Sequence, residues 1–318
     1  MKNILVTGSA GFIGFHLTKA LLNLGYKVVG IDNLNDYYDP ALKKSRLKKL
    51  EDFVNKNDFE EKYNFVKLDI AESSALNAIF ANNDIDIVVN LAAQAGVRYS
   101  IENPQAYISS NLVGFGNILE SCRHFNIKHL IFASSSSVYG MNKKQPFSEI
   151  DVTDKQVSFY AATKKSNELM AHSYSHLYGI PITGLRFFTV YGPYGRPDMA
   201  YFLFTKAIKE GKEILVNNEG EMKRDFTYID DIVDGILKLL LNIPENSSCK
   251  NSDAQAPFRI LNIGNNNPVS LMRFIKAIET ALGIKAKLSM QPMQAGDVPV
   301  TYADISSIDN LVGFKPTT

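Results

Sequence analysis

A tyrosine and a lysine four residues apart, in Ser158-Phe-Tyr160-Ala-Ala-Thr-Lys164, follow a run of four serines, Ser134 to Ser137, about 25 residues upstream. On a helix, Tyr160 and Lys164 stand one above the other on a single face. A free phenol with a pKa of about 10 is a poor base at neutral pH. An ammonium within ~4–6 Å favours the phenolate and brings that pKa toward working pH. The arrangement predicts proton abstraction from a substrate hydroxyl by Tyr160, with a serine of the upstream loop hydrogen-bonding the same hydroxyl. Taken alone, Tyr-x-x-x-Lys equally describes a solvent-facing helix, and a serine run equally describes a polar loop. The elements around them decide.

Those elements begin at the first residues. Asn3 to Thr7 is an apolar run that reads as a buried parallel strand. Gly8-Ser-Ala-Gly11-Phe-Ile-Gly14 follows at once, then a helical pattern from Phe15 to Leu24 closed by Gly25. A second strand, Lys27 to Ile31, ends at Asp32. Strand, glycine turn, helix, strand and acid together form the dinucleotide-binding context. Gly8 permits the turn, Gly11 lets backbone N–H groups approach a pyrophosphate, and Gly14 lets helix and strand pack closely. Asp32 sits where a carboxylate bonds a ribose hydroxyl and repels a 2′-phosphate, which favours NAD over NADP.

Further strands are expected at Asn64–Leu68, Asp86–Leu91, His129–Ala133, Ile182–Phe188 and Arg259–Ile263, with a short one around Ile214–Val216. Helices are expected at Ala41–Asp52, Leu112–Phe125, Phe202–Glu210, Ile232–Leu241 and Ser270–Leu282, the last capped by Ser270. Thr189 to Met199 reads as a loop rich in glycine and proline. The fold class is α/β: a Rossmann-type doubly wound parallel sheet with a smaller C-terminal substrate-binding lobe. Residues 1–188 form the NAD-binding domain with 226–264 returning to it, and 189–225 with 265–318 form the lobe. Ligands of such sheets bind outside the carboxyl ends of the strands, where the serine run is delivered.

The spacing Gly8-x-x-Gly11-x-x-Gly14, the Tyr160/Lys164 pair and the upstream serines resemble the extended branch of the short-chain dehydrogenase/reductase superfamily. Within it, the stretches Gly30–Asp39, Leu185–Met199, Glu221–Asp231 and Pro292–Val298 look like the UDP-glucuronate 4-epimerases, and the likeness spans essentially the whole chain. The resemblance implies Tyr160, Lys164 and Ser135 as the catalytic set. It implies cofactor contacts from Gly8, Gly11, Phe12, Ile13, Gly14, Asp32, Asn33 and Asn35. Asp69, Ile70, Leu91, Ala92 and Ala93 complete the cofactor set with Tyr160 and Lys164. It implies substrate contacts from Ser135, Ser136, Ser137 and Arg98, with Thr189 and Arg196 at the sugar carboxylate, Arg224 at the diphosphate and Asp297 near the uridine ribose. Arg98 fits a phosphate or a surface carboxylate equally, and Asn111 is assigned to architecture. The pattern departs from the family at Ala295, where proline is usual. Relatives also continue past Lys315-Pro316 into a final helix, which bears on stability rather than chemistry.

The implied reaction is reversible, NAD-dependent 4-epimerisation of UDP-glucuronate to UDP-galacturonate through a transient 4-keto sugar. Its carboxylate is β to a ketone, an arrangement that loses carbon dioxide, so a bidentate arginine grip is needed. Arg196 is the candidate. Dehydratases of this family resemble Thr-Asp-Glu, and decarboxylases carry Glu, where this chain has Ser135-Ser136-Ser137. A UDP-glucose/UDP-galactose 4-epimerase and a UDP-glucuronate decarboxylase are the alternative activities. A non-catalytic NAD sensor would be expected to have lost the Tyr/Lys pair.

The rest of the composition narrows the class. The chain has 318 residues, 45% hydrophobic, with net charge +1. That balance argues against a nucleic-acid or membrane-surface partner. Cys122 and Cys249 show no metal or redox spacing, which suggests free thiols in a reducing compartment. Met1-Lys2-Asn3 enters a strand with no secretory pattern, and no uncharged apolar run reaches the ~18 residues of a membrane span. The expectations are a cytoplasmic enzyme, no bound metal, and a homodimer paired through helices near 112–125 and 161–178.

Overall fold

Alternation inside the short apolar runs builds a central sheet buried on both faces. The computed structural model describes residues 2–246, 256–294 and 298–318. Twelve strands are present among them: β1 (Asn3–Thr7), β2 (Lys27–Asp32), β3 (Tyr63–Lys67), β4 (Ile87–Asn90), β5 (His129–Ser135), β6 (Ile182–Phe187), β7 (Thr189–Tyr191), β8 (Glu213–Asn217), β9 (Lys223–Tyr228), β10 (Phe258–Ile263), β11 (Pro268–Ser270) and β12 (Lys287–Gln291). Seven form one sheet in the order β10-β6-β5-β4-β1-β2-β3. Every pairing in it is parallel.

Along β1, Ile4 and Val6 face one helical layer while Leu5 faces the other. In β4, Ile87 and Val89 oppose Val88 in the same way. This is the period of two expected of a strand, with both sides apolar because helices cover both. The first layer contains the helices Phe12–Asn23 and Ile229–Leu240. The second contains Ser73–Asn83, Phe115–His124 and Phe159–Tyr178. Strand order reverses between β1 and β4, so the ends of those two strands open a crevice.

The later chain adds two small sheets, β11-β9-β7 and β12-β8. Ile208, Ile214, Val216 and Ile275 make a separate small core beneath them. β10 instead joins the edge of the large sheet beside β6.

Thr189–Tyr191, expected at the start of a loop, is strand β7 paired with β9, and a second element also differs from expectation. The helix predicted from Leu112 to Phe125 is an α-helix only over Phe115–His124, preceded by a wide π turn, Ile108–Gly114. A side chain at Gly114 would bring its Cβ within 2.6 Å of Ile70 Cγ1, so the turn presses bare backbone against the residue after Asp69. The same turn aims Asn111 inward: its Oδ1 accepts from Gln94 N at 2.8 Å and its Nδ2 donates to Thr163 Oγ1 at 3.0 Å. Asn111 is thus a brace between the turn after β4 and the helix that carries Tyr160. Cys122 is a free, buried thiol. Cys249 lies outside the described residues. Among those described, no helix is long and apolar enough to cross a membrane.

Candidate active site

The glycine turn after β1 has no room for side chains. Gly8 has φ +68°, and a Cβ on it would lie 2.9 Å from Ala92 N. A Cβ on Gly14 would meet Gly8 O at 2.2 Å, and Gly11 N donates to that same carbonyl at 2.8 Å. The helix Phe12–Asn23 that follows has no side-chain cap, so its first-turn N–H groups and dipole are open to an anion. At the end of β2, the buried Asp32 carboxylate accepts from Leu34 N at 2.8 Å and from Lys43 Nζ at 3.3 Å. Lys43 also donates to Asn35 Oδ1 at 2.9 Å, and Asn33 Nδ2 donates to Asp69 Oδ2 at 2.8 Å. A bare cradle, the buried Asp32 after β2 and the half-buried Asp69 after β3 fit the pyrophosphate and the ribose and adenine side of NAD.

Tyr160 is the second residue of the helix Phe159–Tyr178, whose N-cap Ser158 accepts from Ala161 N at 3.1 Å. The positive end of that helix supports a phenolate there. Burial pushes the Tyr160 pKa up, while Ser135 beside the phenol and the Arg196 charge pull it down. One turn on, Lys164 is buried and donates from Nζ to Ala133 O at 2.9 Å. The sequence had assigned the downward pull to Lys164. In the structure it comes from Ser135 and Arg196, because the Lys164 ammonium is directed to the β5 carbonyl.

Burial pulls the Lys164 pKa down to about 8. The unfolded chain therefore binds more protons between about 8 and its ordinary value. Charging Lys164 in the fold destabilises the cofactor-free protein fully below that window, and the penalty disappears as pH rises through it. Lys164→Met should abolish turnover and stabilise the cofactor-free protein at pH 7 by on the order of 1–3 kcal/mol. Urea unfolding of both proteins reads this, and a destabilised variant would refute it.

Every described residue assigned from the sequence to cofactor, chemistry or substrate lies on the wall of one cavity of about 950 Å³. Asp297 and the variant position Ala295 lie outside the described residues. Ser135 Oγ donates to Ser137 Oγ at 3.2 Å, and Thr189 opens β7 on the far side. Arg98 is exposed at the cavity mouth. Arg224 Nη1 donates to Lys223 O at 2.9 Å and to Pro299 O at 3.2 Å. Arg196 is held by Asp198, with Nε to Oδ1 at 3.1 Å.

Several residues escaped the sequence reading. Lys43 joins Asp32, as above. Tyr107 packs edge-on to Tyr160 with ring centroids 6.0 Å apart, and its hydroxyl donates to Ala95 O at 2.9 Å. Arg46, fully buried, donates to Ala10 O at 3.0 Å in the glycine turn and to Tyr194 O at 2.7 Å in the loop before Arg196. Asp198 and Tyr37 complete the list: the Tyr37 hydroxyl donates to Asp198 Oδ2 at 3.0 Å. Both sit inside stretches that carry the family resemblance, but they are 161 residues apart and no local pattern pairs them.

The model of the NAD dependent epimerase/dehydratase family matches residues 4–264. A probable UDP-glucuronate 4-epimerase of Rhizobium meliloti (strain 1021) is 48% identical over 98% of this chain and 92% of its own length. UDP-glucuronate 4-epimerase 4 of Arabidopsis thaliana is 48% identical over 99% of this chain and 72% of its own. Among solved structures, the UDP-glucuronic acid 4-epimerase of Bacillus cereus, in complex with UDP-glucuronic acid and NAD, superposes with a TM-score of 0.87. It is 36% identical and covers 99% of this chain and 94% of its own.

Proposed function

Because the chain belongs to the NAD dependent epimerase/dehydratase family, we infer that it is an isomerase interconverting UDP-glucuronate and UDP-galacturonate by inversion at C4. NAD, when bound, takes the C4 hydride and returns it to the opposite face, leaving no net oxidation. Tyr160 takes the 4-hydroxyl proton as the ketone forms and gives it back when the ketone is reduced. Ser135, beside the phenol, aligns that hydroxyl. Lys164 supplies a buried cation at the ribose side of Tyr160. Gly8, Gly11 and Gly14 admit the pyrophosphate, with Asp32, Lys43, Asn33 and Asp69 at its nucleoside end. Arg98 and Arg224 answer the diphosphate of the substrate, and Thr189 with Arg196 answers its carboxylate.

The observation that carries this reading is the position of Arg196: it lines the same cavity as Tyr160 and Ser135, with its guanidinium held by Asp198, where a sugar acid bound at Tyr160 would meet a cation. Neutral hexoses have no use for it. The division into a cofactor body of residues 1–188 with 226–264, and a sugar-nucleotide lobe of 189–225 with 265–318, is part of the same reading. It is supported by β10 lying in the large sheet and by β7, β8, β11 and β12 lying in the small ones. β9 (Lys223–Tyr228) crosses the boundary at 226 and lies in a small sheet, so the return to the cofactor body begins after it. A cytoplasmic homodimer is the assembly assigned, with exposed Val113, Leu169, Leu177 and Tyr178 on the pairing helices.

The test is an NMR time course of purified protein with UDP-glucuronate and no added cofactor. UDP-galacturonate rising to a fixed ratio is expected. UDP-xylose or a keto-pentose would identify a decarboxylase, and turnover of UDP-glucose alone would remove Arg196 from its role.

A further inference from the structure

Arg196 is fixed at its backbone and at its guanidinium, and each hold is tied in turn to a part of the chain far away in sequence. Its backbone is clamped first. Arg196 N donates to the Tyr201 hydroxyl at 3.1 Å, and Arg46 bonds the carbonyls of the two preceding residues, Tyr194 at 2.7 Å and Gly195 at 3.4 Å. Its guanidinium is then held by Asp198, whose two oxygens meet Nε and Nη2 side by side. Asp198 is itself held, because the Tyr37 hydroxyl donates to Oδ2 at 3.0 Å. Tyr37 lies against bare backbone, where a Cβ on Gly96 would come within 2.5 Å of its hydroxyl, and its ring packs on Tyr99 at 4.9 Å. Both Asp198 and Tyr37 line the cavity with Arg196 and Tyr160.

A guanidinium has five N–H donors in a rigid plane. The hydrogen bonds to Asp198 use Nε and Nη2, so the remaining edge has its direction set by Asp198 rather than by side-chain torsions. We propose that Tyr37 and Asp198 are positioning residues that aim the free edge of Arg196, and so determine whether the keto sugar keeps its carboxylate. This rests on the carboxylate role of Arg196 given above.

The chemistry explains why aim matters. In the side reaction the C5–C6 bond breaks, its electron pair becomes the C4 enolate, carbon dioxide leaves and water supplies a proton to C5. Negative charge leaves the carboxylate during that step. A guanidinium bonded to the carboxylate stabilises the starting state more than the transition state, which raises this barrier. An arginine that swings away loses that differential while still attracting the substrate. The aim of Arg196 therefore changes the ratio of products more than it changes binding.

The experiment compares wild type with Tyr37→Phe, Asp198→Asn and Arg196→Met, each as full-length protein with NAD. Proton NMR reads UDP-galacturonate and decarboxylated UDP-sugar together, and absorbance reads any NADH left behind. We expect the decarboxylated share to rise at least tenfold in Asp198→Asn and several-fold in Tyr37→Phe, with KM for UDP-glucuronate changing much less. Tyr37→Phe removes one hydroxyl and keeps the ring, so it retains the fold, which circular dichroism verifies. A raised share in Arg196→Met with unchanged shares in both other variants would overturn this proposal and leave the carboxylate role of Arg196 standing. An unchanged share in all three would overturn that role as well. A proportional fall in both products in Tyr37→Phe and Asp198→Asn would mean a purely structural role and would also overturn the proposal.

Discussion

Replacing Tyr160 by Phe lowers kcat for epimerisation by about a thousandfold while leaving the affinity for UDP-glucuronate within about threefold of wild type. The loss follows from the geometry. The phenol is the titrating group that Ser135 and Arg196 both bias toward its anion against the effect of burial, and among the described residues no histidine lines the cavity to replace it. The binding contacts are carried elsewhere, by the glycine cradle, the arginines and the lobe, and the ring keeps its packing against Tyr107. General-base removal is worth roughly 10²–10⁴ in rate, so a thousandfold loss lies mid-range. Steady-state kinetics with a competition binding assay separates the two effects. A loss below tenfold would move the proton transfer to another group. A loss of affinity in step with kcat would make Tyr160 a binding residue.

Glu168→Ala costs the fold about 3–5 kcal/mol, the largest stability effect expected of any single substitution near the site. Glu168 lies one turn after Lys164 on the same helix and is only 4% exposed. Its carboxylate takes Arg186 in a two-point pair, Nε to Oε1 at 2.8 Å and Nη2 to Oε2 at 2.9 Å. Ser134 Oγ donates to Oε1 at 2.7 Å. Arg186 belongs to β6 and Ser134 to β5, so this cluster pins the catalytic helix to the sheet beside Ser135. Removing the carboxylate leaves a buried guanidinium whose Nη1 already lacks a partner, with the Tyr139 ring at 4.8 Å as its remaining support. Arg186 and Ser134 hold the Glu168 pKa below the usual carboxylate value against the effect of burial. The stabilisation is therefore present above the ordinary glutamate pKa and is lost as pH falls through the lowered one. Urea unfolding at pH 7 and at acid pH checks both statements. A cost below about 1 kcal/mol, or one that grows as pH falls, would contradict them.

The sequence was most legible where chemistry restricts residue type. At the glycine turn a Cβ on Gly8 or Gly14 has nowhere to go, so the motif and the geometry state one constraint. The strands of the large sheet were legible for a similar reason, since burial on both faces demands continuous apolar runs such as Ile4 to Val6. In the small sheets only β8 was legible, through Ile214–Val216. β9 begins Lys-Arg-Asp, and β12 is half exposed, so neither shows an apolar run. The helix Ser73–Asn83 buries only Leu76 and Phe80, too few positions to stand out as a period.

In the site, single residues were legible and their pairings were not. Arg196 could be singled out because the family resemblance puts it at the sugar carboxylate, where a reactive keto acid needs a cation. Its partners Asp198 and Tyr37 could not, because loop contacts across 161 residues leave no spacing to read. Lys164 shows the opposite limit. Helical spacing placed it beneath Tyr160 correctly, but only the structure directs its ammonium to Ala133 O.

In this epimerisation one hydride leaves C4 and returns to the same carbon on the opposite face, with Tyr160 moving the proton. UDP-glucuronate carrying deuterium at C4 tests it most directly, followed by NMR in ordinary water with no added cofactor. UDP-galacturonate that retains deuterium at C4, formed more slowly than from unlabelled substrate, is the expected result. Product carrying solvent hydrogen at C4 would mean inversion by proton exchange at carbon, and the hydride account would be wrong.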